Sequence, residues 1–102
     1  MHPIVEDHRA EVEELCREYR VRRLDVFGSA VRGGFDPEAS DLDFLVDFEP
    51  PGPGDYRRTY FGLLKGLRAL FDREIDLVDA SAVKNPYFRE SVEQTRELLY
   101  GA

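Results

Sequence analysis

Two aspartates one residue apart, Asp41 and Asp43, are the first residues of this chain whose types and spacing suit chemistry. Asp41 directly precedes the segment Leu42–Phe48, and Asp43 is its second residue. In this segment apolar and mostly acidic residues alternate as they do in a strand. Because strand side chains alternate faces with a period of two, we expect both carboxylates to point the same way. Two carboxylates on one face can bind a hard cation such as Mg²⁺ and leave positions for water and phosphate oxygens.

A glycine–serine pair upstream indicates a second part of the same site. The segment Val26-Phe27-Gly28-Ser29 is typical of a strand that ends in a tight turn and continues as a short helix. Backbone N–H groups at such a turn can bind an anion. Arg32 lies one helical turn after the serine and could neutralise charge on a phosphate group. With the aspartate pair, this turn predicts a place for a metal-bound nucleoside triphosphate.

A third predicted strand, residues 74–79, offers the carboxylate that would complete the site. Two-metal nucleotidyl transfer uses carboxylates to bridge ions roughly 3.5–4 Å apart, and two aspartates seldom suffice. Asp76 has an apolar residue on each side, so its side chain should lie on the polar face of the strand. Glu74 shares that face and is the alternative ligand.

These residues suggest a division of roles in nucleotidyl transfer. Asp41 and Asp43 would chelate the ion that accompanies the triphosphate, and Asp43 would also bridge to a second ion. Asp76 would hold the second ion and help to deprotonate the attacking hydroxyl group. Gly28 and Ser29 would cradle the leaving pyrophosphate. Each motif alone is weak, since Gly-Ser pairs occur in many turns and strand edges often carry solvated acids.

The elements that must position these residues alternate between helix and strand. Apolar residues at helical spacing predict one amphipathic helix over about residues 4–20. A second long helix follows Asp55, its expected N-cap, and a last helix begins at Asn85-Pro86 and includes Leu99 on its inner face. The order helix, strand, short helix, strand, helix, strand, helix predicts an α/β (α+β) fold with helices packed against a small mixed sheet.

Length and composition restrict the function further. A chain of 102 residues has room for a single domain, residues 1–102, with one core and one site. Its net charge of −7 argues against a nucleic-acid partner. The single cysteine, Cys16, excludes an internal disulfide and suits a reducing compartment. Because neither a membrane span nor a signal peptide is recognisable, we expect a cytoplasmic protein.

Minimal nucleotidyltransferases of the DNA polymerase β superfamily resemble this chain in three segments: FGSAVRG at 27–33, SDLDFLV at 40–46 and EIDLV at 74–78. The resemblance extends from about Val21 to the C-terminus. It implies a nucleotidyltransferase fold similar to the palm of polymerase β. Proteins of this kind are typically antitoxins paired with a HEPN-domain toxin.

The resemblance also implies site residues and a reaction. It places the family's glycine–serine on Gly28 and Ser29, its paired aspartates on Asp41 and Asp43, and its third aspartate on Asp76. Members of the family transfer AMP from ATP to a tyrosine hydroxyl of the partner toxin, with two Mg²⁺ ions as cofactors. Eleven residues separate Ser29 from Asp41, one more than is usual in the family.

Two other functions stay open at this stage. The chain could be a non-catalytic antitoxin, a binding module that neutralises its partner by contact. It could also be the subunit of a small-molecule nucleotidyltransferase, although such enzymes need a further domain to hold the acceptor. The presence of all three aspartates and the Gly-Ser pair favours an active enzyme, and the small size favours a protein acceptor. Neither the nucleotide nor the acceptor hydroxyl follows from these residues.

Overall fold

The computed structural model describes residues 2–33, 36, 41–50 and 54–101. Its elements in chain order are α1 (Pro3–Glu6), α2 (Arg9–Glu18), β1 (Val21–Phe27), α3 (Ser29–Arg32), β2 (Leu42–Phe48), α4 (Tyr56–Phe71), β3 (Ile75–Asp79), a 3₁₀ helix (Ala80–Ala82), α5 (Pro86–Thr95) and β4 (Glu97–Tyr100). The predicted mixed α/β fold is therefore confirmed. Within the described ranges, none of the helices has the length and apolar character that a membrane span requires.

The four strands form one mixed sheet in the order β3-β2-β1-β4. β1 is antiparallel to both of its neighbours, β2 and β4, while β2 and β3 are parallel. Parallel neighbours need a crossover connection, which α4 supplies, whereas antiparallel neighbours need none. The sheet thus has β1 and β2 at its centre and β3 and β4 at its edges.

The two faces of the sheet are covered to different extents. One face packs under α2 and α4 and forms the main core, which includes Leu24, Leu42, Phe44, Val46, Leu63, Leu67, Ile75 and Leu77. The other face has a smaller apolar cluster of Phe27, Leu45 and Val92, against which Val78 and Val83 pack. Since Val92 belongs to α5, this helix covers part of the second face. Asp43 and Asp47 of β2 and Asp76 of β3 lie on that second face.

The helix predicted over about residues 4–20 is two helices, and that prediction was wrong. The break falls at Asp7 and His8. The Nδ1 atom of His8 lies 2.8 Å from the carbonyl oxygen of Ile4, which a continuous helix would pair with the backbone N–H of His8. That N–H donates instead to the carbonyl of Val5 at 3.1 Å. A side-chain contact therefore replaces one backbone bond and ends α1.

The predicted inclusion of Leu99 in the last helix was also wrong. The predicted start of this helix is correct, since the side chain of Asn85 caps α5 and Pro86 takes its first position. The helix ends at Thr95, however, and Glu97–Tyr100 forms a fourth strand that pairs with β1. Leu99 is buried in the main core from this strand. Pairing with a distant strand thus overrides the local helical pattern.

A buried ion pair fixes the start of β4. Among the described residues, Asp25 of β1 is the charged residue that is fully buried. Its carboxylate accepts hydrogen bonds from Nε of Arg96 at 2.9 Å and from Nε of Arg23 at 3.1 Å. Burial by itself would lower the pKa of Arg96, but hydrogen bonds to Asp25 and Glu93 raise it overall. The pair therefore ties the junction between α5 and β4 to the centre of the sheet.

We expect Asp25→Asn to lower the free energy of unfolding by about 3 kcal/mol, because it leaves two arginines beside a neutral, buried group. The matched control is Asp47→Asn, since Asp47 pairs with Arg22 on the same sheet but at a more exposed position. We expect that change to alter stability by less than about 1 kcal/mol. Urea denaturation of both variants measures the difference, and equal losses would contradict the structural role of Asp25.

Candidate active site

Gly28 connects β1 to α3 at a point where only glycine fits. Its φ of 76° lies in a region that L side chains rarely adopt. A Cβ atom at this position would lie 2.5 Å from Oδ2 of Asp43, closer than real Cβ atoms approach any heavy atom. The backbone of the turn and the carboxylate of Asp43 are therefore in direct contact. The two motifs that the sequence analysis assigned to one site thus lie side by side in the structure.

The register of the sheet places Asp76 beside Asp43. In β1 the partner of Asp43 is Phe27, the residue before the glycine turn, and in β3 its partner is Asp76. Neighbouring strands lie about 4.8 Å apart, so the two aspartates are adjacent on the same face. Asp43 is half-buried between two strands, whereas Asp76 is exposed on the edge strand. Two of the three predicted carboxylates thus meet at one end of the sheet.

Asp41 and Glu74 lie just outside the strands, at the same end of the sheet. Asp41 immediately precedes β2 and is exposed. Glu74 immediately precedes β3, and its carbonyl accepts a hydrogen bond from the backbone of Leu42. The Glu74 side chain forms an ion pair with Arg68 of α4 at 3.4 Å. Since α4 packs on the opposite face of the sheet, this pair favours Asp76 over Glu74 as the third carboxylate.

The carboxylates suit a metal that arrives with its nucleotide. In the part of the chain that the structure describes, no three His, Cys, Asp or Glu side chains form a ready-made metal site. Mg²⁺ is commonly held by one or two carboxylates, and waters and substrate phosphates complete its octahedral shell. Asp43 and Asp76 supply such a pair, and the missing Cβ of Gly28 lets the turn lie directly against the first of them. The donor set therefore fits Mg²⁺ bound to a triphosphate.

The amide of Gly28 already has a partner within the protein. Its N–H group donates to Oγ1 of Thr95, at the end of α5, over 3.0 Å. The expectation that Gly28 and Ser29 cradle the leaving pyrophosphate stays a prediction. Ser29 begins α3 as predicted. The side chain of Arg32 lies outside the described part of the structure. The sequence analysis missed the contact of Thr95 with the turn, because no local pattern marks it.

The other acidic residues near the site have structural partners. Asp47 accepts a hydrogen bond from Nε of Arg22 at 3.1 Å. Asp79 accepts one from the hydroxyl of Tyr56 at 2.5 Å and caps the 3₁₀ helix. Burial, together with the nearby charges of Asp76 and Asp79, raises the pKa of Tyr60. The charges of Asp76 and Asp79 on β3 thus act on a side chain of α4.

Comparison with known proteins identifies relatives along nearly the whole chain. The model of a family described as "Nucleotidyltransferase domain" matches residues 9–99. A candidate protein adenylyltransferase of Methanocaldococcus jannaschii is 37% identical over 98 residues, which cover 95% of this chain and 90% of the relative. Protein adenylyltransferase MntA of Thermococcus cleftensis is 41% identical over 91 residues, covering 89% of this chain and 85% of the relative.

Solved structures have the same fold. A candidate minimal nucleotidyltransferase superposes with a TM-score of 0.76 at 32% identity and covers 95% of both chains. A toxin–antitoxin structure with AMP-PNP gives a TM-score of 0.70 at 22% identity, covering 92% of this chain and 73% of the other. The complex of a tri-AMPylated Shewanella oneidensis HEPN toxin with its MNT antitoxin gives 0.67 at 18% identity, covering 95% and 72%. At 22% and 18% identity, the last two structures show a shared fold and no more.

We expect Gly28→Ala to weaken Mg²⁺-dependent ATP binding by at least about tenfold, because the added methyl group must displace the Asp43 carboxylate. Gly33→Ala is the matched control. Gly33 also has a positive φ, 103°, but a Cβ there would meet no atom of the described residues within 4 Å. The two variants thus share backbone strain and differ in the contact with Asp43. Calorimetric titration measures both, and equal losses would refute a role for that contact.

Proposed function

The chain belongs to the nucleotidyltransferase domain family, and we propose that it is a Mg²⁺-dependent protein adenylyltransferase that transfers AMP from ATP to a hydroxyl group of another protein. The observation that carries the proposal is the pairing of Asp43 with Asp76 beside the Gly28 turn. Relatives named as protein adenylyltransferases, at 37% and 41% identity, support the choice of reaction.

The three aspartates would together hold two metal ions. Asp41 and Asp43 would bind the ion that accompanies the triphosphate, and Asp43 and Asp76 would bind the second. When bound, Mg²⁺ neutralises charge on the triphosphate and stabilises the oxygens of the bonds that form and break. The half-buried position of Asp43, with a strand on each side, suits the carboxylate that both ions share.

The remaining residues would position the two reactants. The triphosphate would lie along the Gly28–Ser29 turn, with the leaving pyrophosphate towards α3 and Arg32. The acceptor would approach at the edge strand, where the exposed carboxylate of Asp76 can take the proton of its hydroxyl group. The hydroxyl oxygen then bonds to the α-phosphorus, and the bond from that phosphorus to pyrophosphate breaks. The products are an adenylylated side chain, pyrophosphate and a proton.

The surroundings of the site favour a protein as the acceptor. The net charge of −7 opposes a nucleic-acid acceptor. A protein segment, by contrast, can reach an exposed sheet edge. We propose that the segment is a tyrosine of a HEPN-family toxin, because structural neighbours are MNT antitoxins in complex with such toxins.

The decisive experiment incubates the protein with ATP, Mg²⁺ and the product of its neighbouring gene, which we expect to be a HEPN-family protein. We expect intact mass spectrometry to find one or more adenylate groups on that partner, and peptide mapping to place them on tyrosine. Asp43→Asn should abolish the modification, because its loss removes the carboxylate shared by both metal sites. Asp47→Asn should retain it, because Asp47 pairs with Arg22 further along the same strand.

The same experiment separates catalysis from neutralisation by contact. An unmodified partner that Asp43→Asn still neutralises would establish the binding-module alternative and overturn the proposed reaction. Adenylate found on a small molecule instead of the partner would establish the other alternative. Equal activity of the two aspartate variants would mean that the site is assigned to the wrong residues.

We further expect ATP to bind only when Mg²⁺ or Mn²⁺ is present. Without a divalent ion, the triphosphate would meet the negative charges of Asp41, Asp43 and Asp76 at close range, and like charges repel. Calorimetric titrations of ATP in the presence of Mg²⁺ and in excess EDTA compare the two conditions, and affinity in EDTA should fall by at least about tenfold. Equal affinity in both would contradict the metal-dependent arrangement.

A further inference from the structure

We propose that Thr95 is a positioning residue of the active site, whose hydroxyl oxygen holds the Gly28 turn in place against the Asp43 carboxylate. The catalytic consequence of this inference rests on the proposed adenylyl transfer. The positioning itself concerns the folded protein and can be measured without any reaction. No sequence motif marks Thr95, and its contact with the site joins residues 67 positions apart.

The hydrogen bond from Gly28 to Thr95 is well placed for this role. The donor nitrogen lies 3.0 Å from Oγ1, and Gly28 is buried. A buried N–H group without a partner is unfavourable, so the turn is held where the threonine oxygen lies. The threonine hydroxyl faces its own partner, the carbonyl of Ser91, at 3.4 Å. Because a hydroxyl donates one bond and accepts two, donation to Ser91 leaves Oγ1 free to accept from Gly28.

The turn needs such a restraint because glycine is the residue with the greatest backbone freedom. A methyl group at Gly28 would lie 2.5 Å from Oδ2 of Asp43, so the carboxylate occupies the space that a side chain at this position would need. A small rotation of the turn would therefore either press on the carboxylate or open a gap beside it. The bond to Thr95 acts from the side opposite to Asp43's strand and opposes both movements.

Thr95 is itself fixed by its neighbours in the chain. The next residue, Arg96, donates to the buried carboxylate of Asp25 at 2.9 Å. One turn earlier in α5, Val92 is buried against Phe27, the residue that precedes the turn. The end of α5 is thus attached to β1 on both sides of Thr95. These contacts keep the Thr95 hydroxyl in a fixed position, so that its hydrogen bond can restrain the turn.

Thr59 of α4 provides a matched control. Its hydroxyl donates to the carbonyl of Asp55, four residues earlier, at 2.9 Å, in the same way that Thr95 faces Ser91. Both threonines are half-buried helical residues. Among the described residues, however, Thr59 makes no hydrogen bond to the turn or to the site strands. Replacement of either threonine by valine removes the same hydroxyl, but only one replacement removes an acceptor from Gly28.

The test compares Thr95→Val, Thr95→Ser and Thr59→Val in the full-length protein. NMR measures hydrogen exchange of the Gly28 amide, and steady-state kinetics measure kcat and KM for Mg²⁺-ATP. We expect Thr95→Val to raise the exchange rate of Gly28 by at least about tenfold, because a buried hydrogen bond is lost. We expect kcat to fall by a similar factor with little change in KM, because the site still binds Mg²⁺-ATP but holds the reacting groups in the wrong position. Thr95→Ser should restore both values, and Thr59→Val should match the wild type.

An unchanged exchange rate of the Gly28 amide in Thr95→Val would overturn the inference. The inference would also fail if Thr95→Ser did not restore the exchange rate and kcat, or if Thr59→Val changed them as Thr95→Val does. A wild-type protein that transfers no AMP at all would instead overturn the proposed function. In that case the exchange rates of Gly28 in the three variants still decide whether Thr95 holds the turn.

Discussion

The contact between the backbone of Gly28 and the carboxylate of Asp43 is the constraint on which the rest of the site depends. It fixes the register of β1 and β2, because Phe27 must lie opposite Asp43 for the turn to fit. The register of β2 and β3 then places Asp76 beside Asp43. A slip of one residue in β2 would move Phe44 to the site and Asp43 into the main core. The requirements of the core and of the site therefore select the same pairing.

The protein treats two aspartates on the same face of the sheet in opposite ways. Asp25, near the centre of β1, is covered completely and satisfied by two arginines. Burial of a charge is costly unless it is paired, so this carboxylate is used for structure. Asp76, on the edge strand, remains exposed. This face of the sheet thus has two parts. The part near Asp25 is covered and serves the fold, and the part near Asp76 is open to ligands.

How far the sequence predicted this arrangement depends on how local each feature is. The alternation in Leu42–Phe48 correctly predicted the bounds of β2 and the face of Asp43, since both follow from the two-residue period of a strand. Glu97–Tyr100 has no such alternation, and it becomes a strand because it pairs with β1. The pairing of Asp43 with Asp76 was expected from the chemistry of a carboxylate site and from the family resemblance, not from a local pattern. The contact of Thr95 with Gly28 also joins distant segments, and the sequence analysis missed it. Local patterns carry no information about such long-range contacts.

The position of the two site carboxylates in the sheet explains why their roles should differ. Asp43 has a strand on each side and the Gly28 turn against its side chain, so its position is fixed before any ligand binds. Asp76 lies on an edge strand and faces solvent, so an incoming hydroxyl group can reach it without displacing protein. A fixed carboxylate suits the binding of a metal-bound triphosphate, which must be held precisely. An accessible one suits a macromolecular acceptor, which has to approach from outside and complete the site with its own surface.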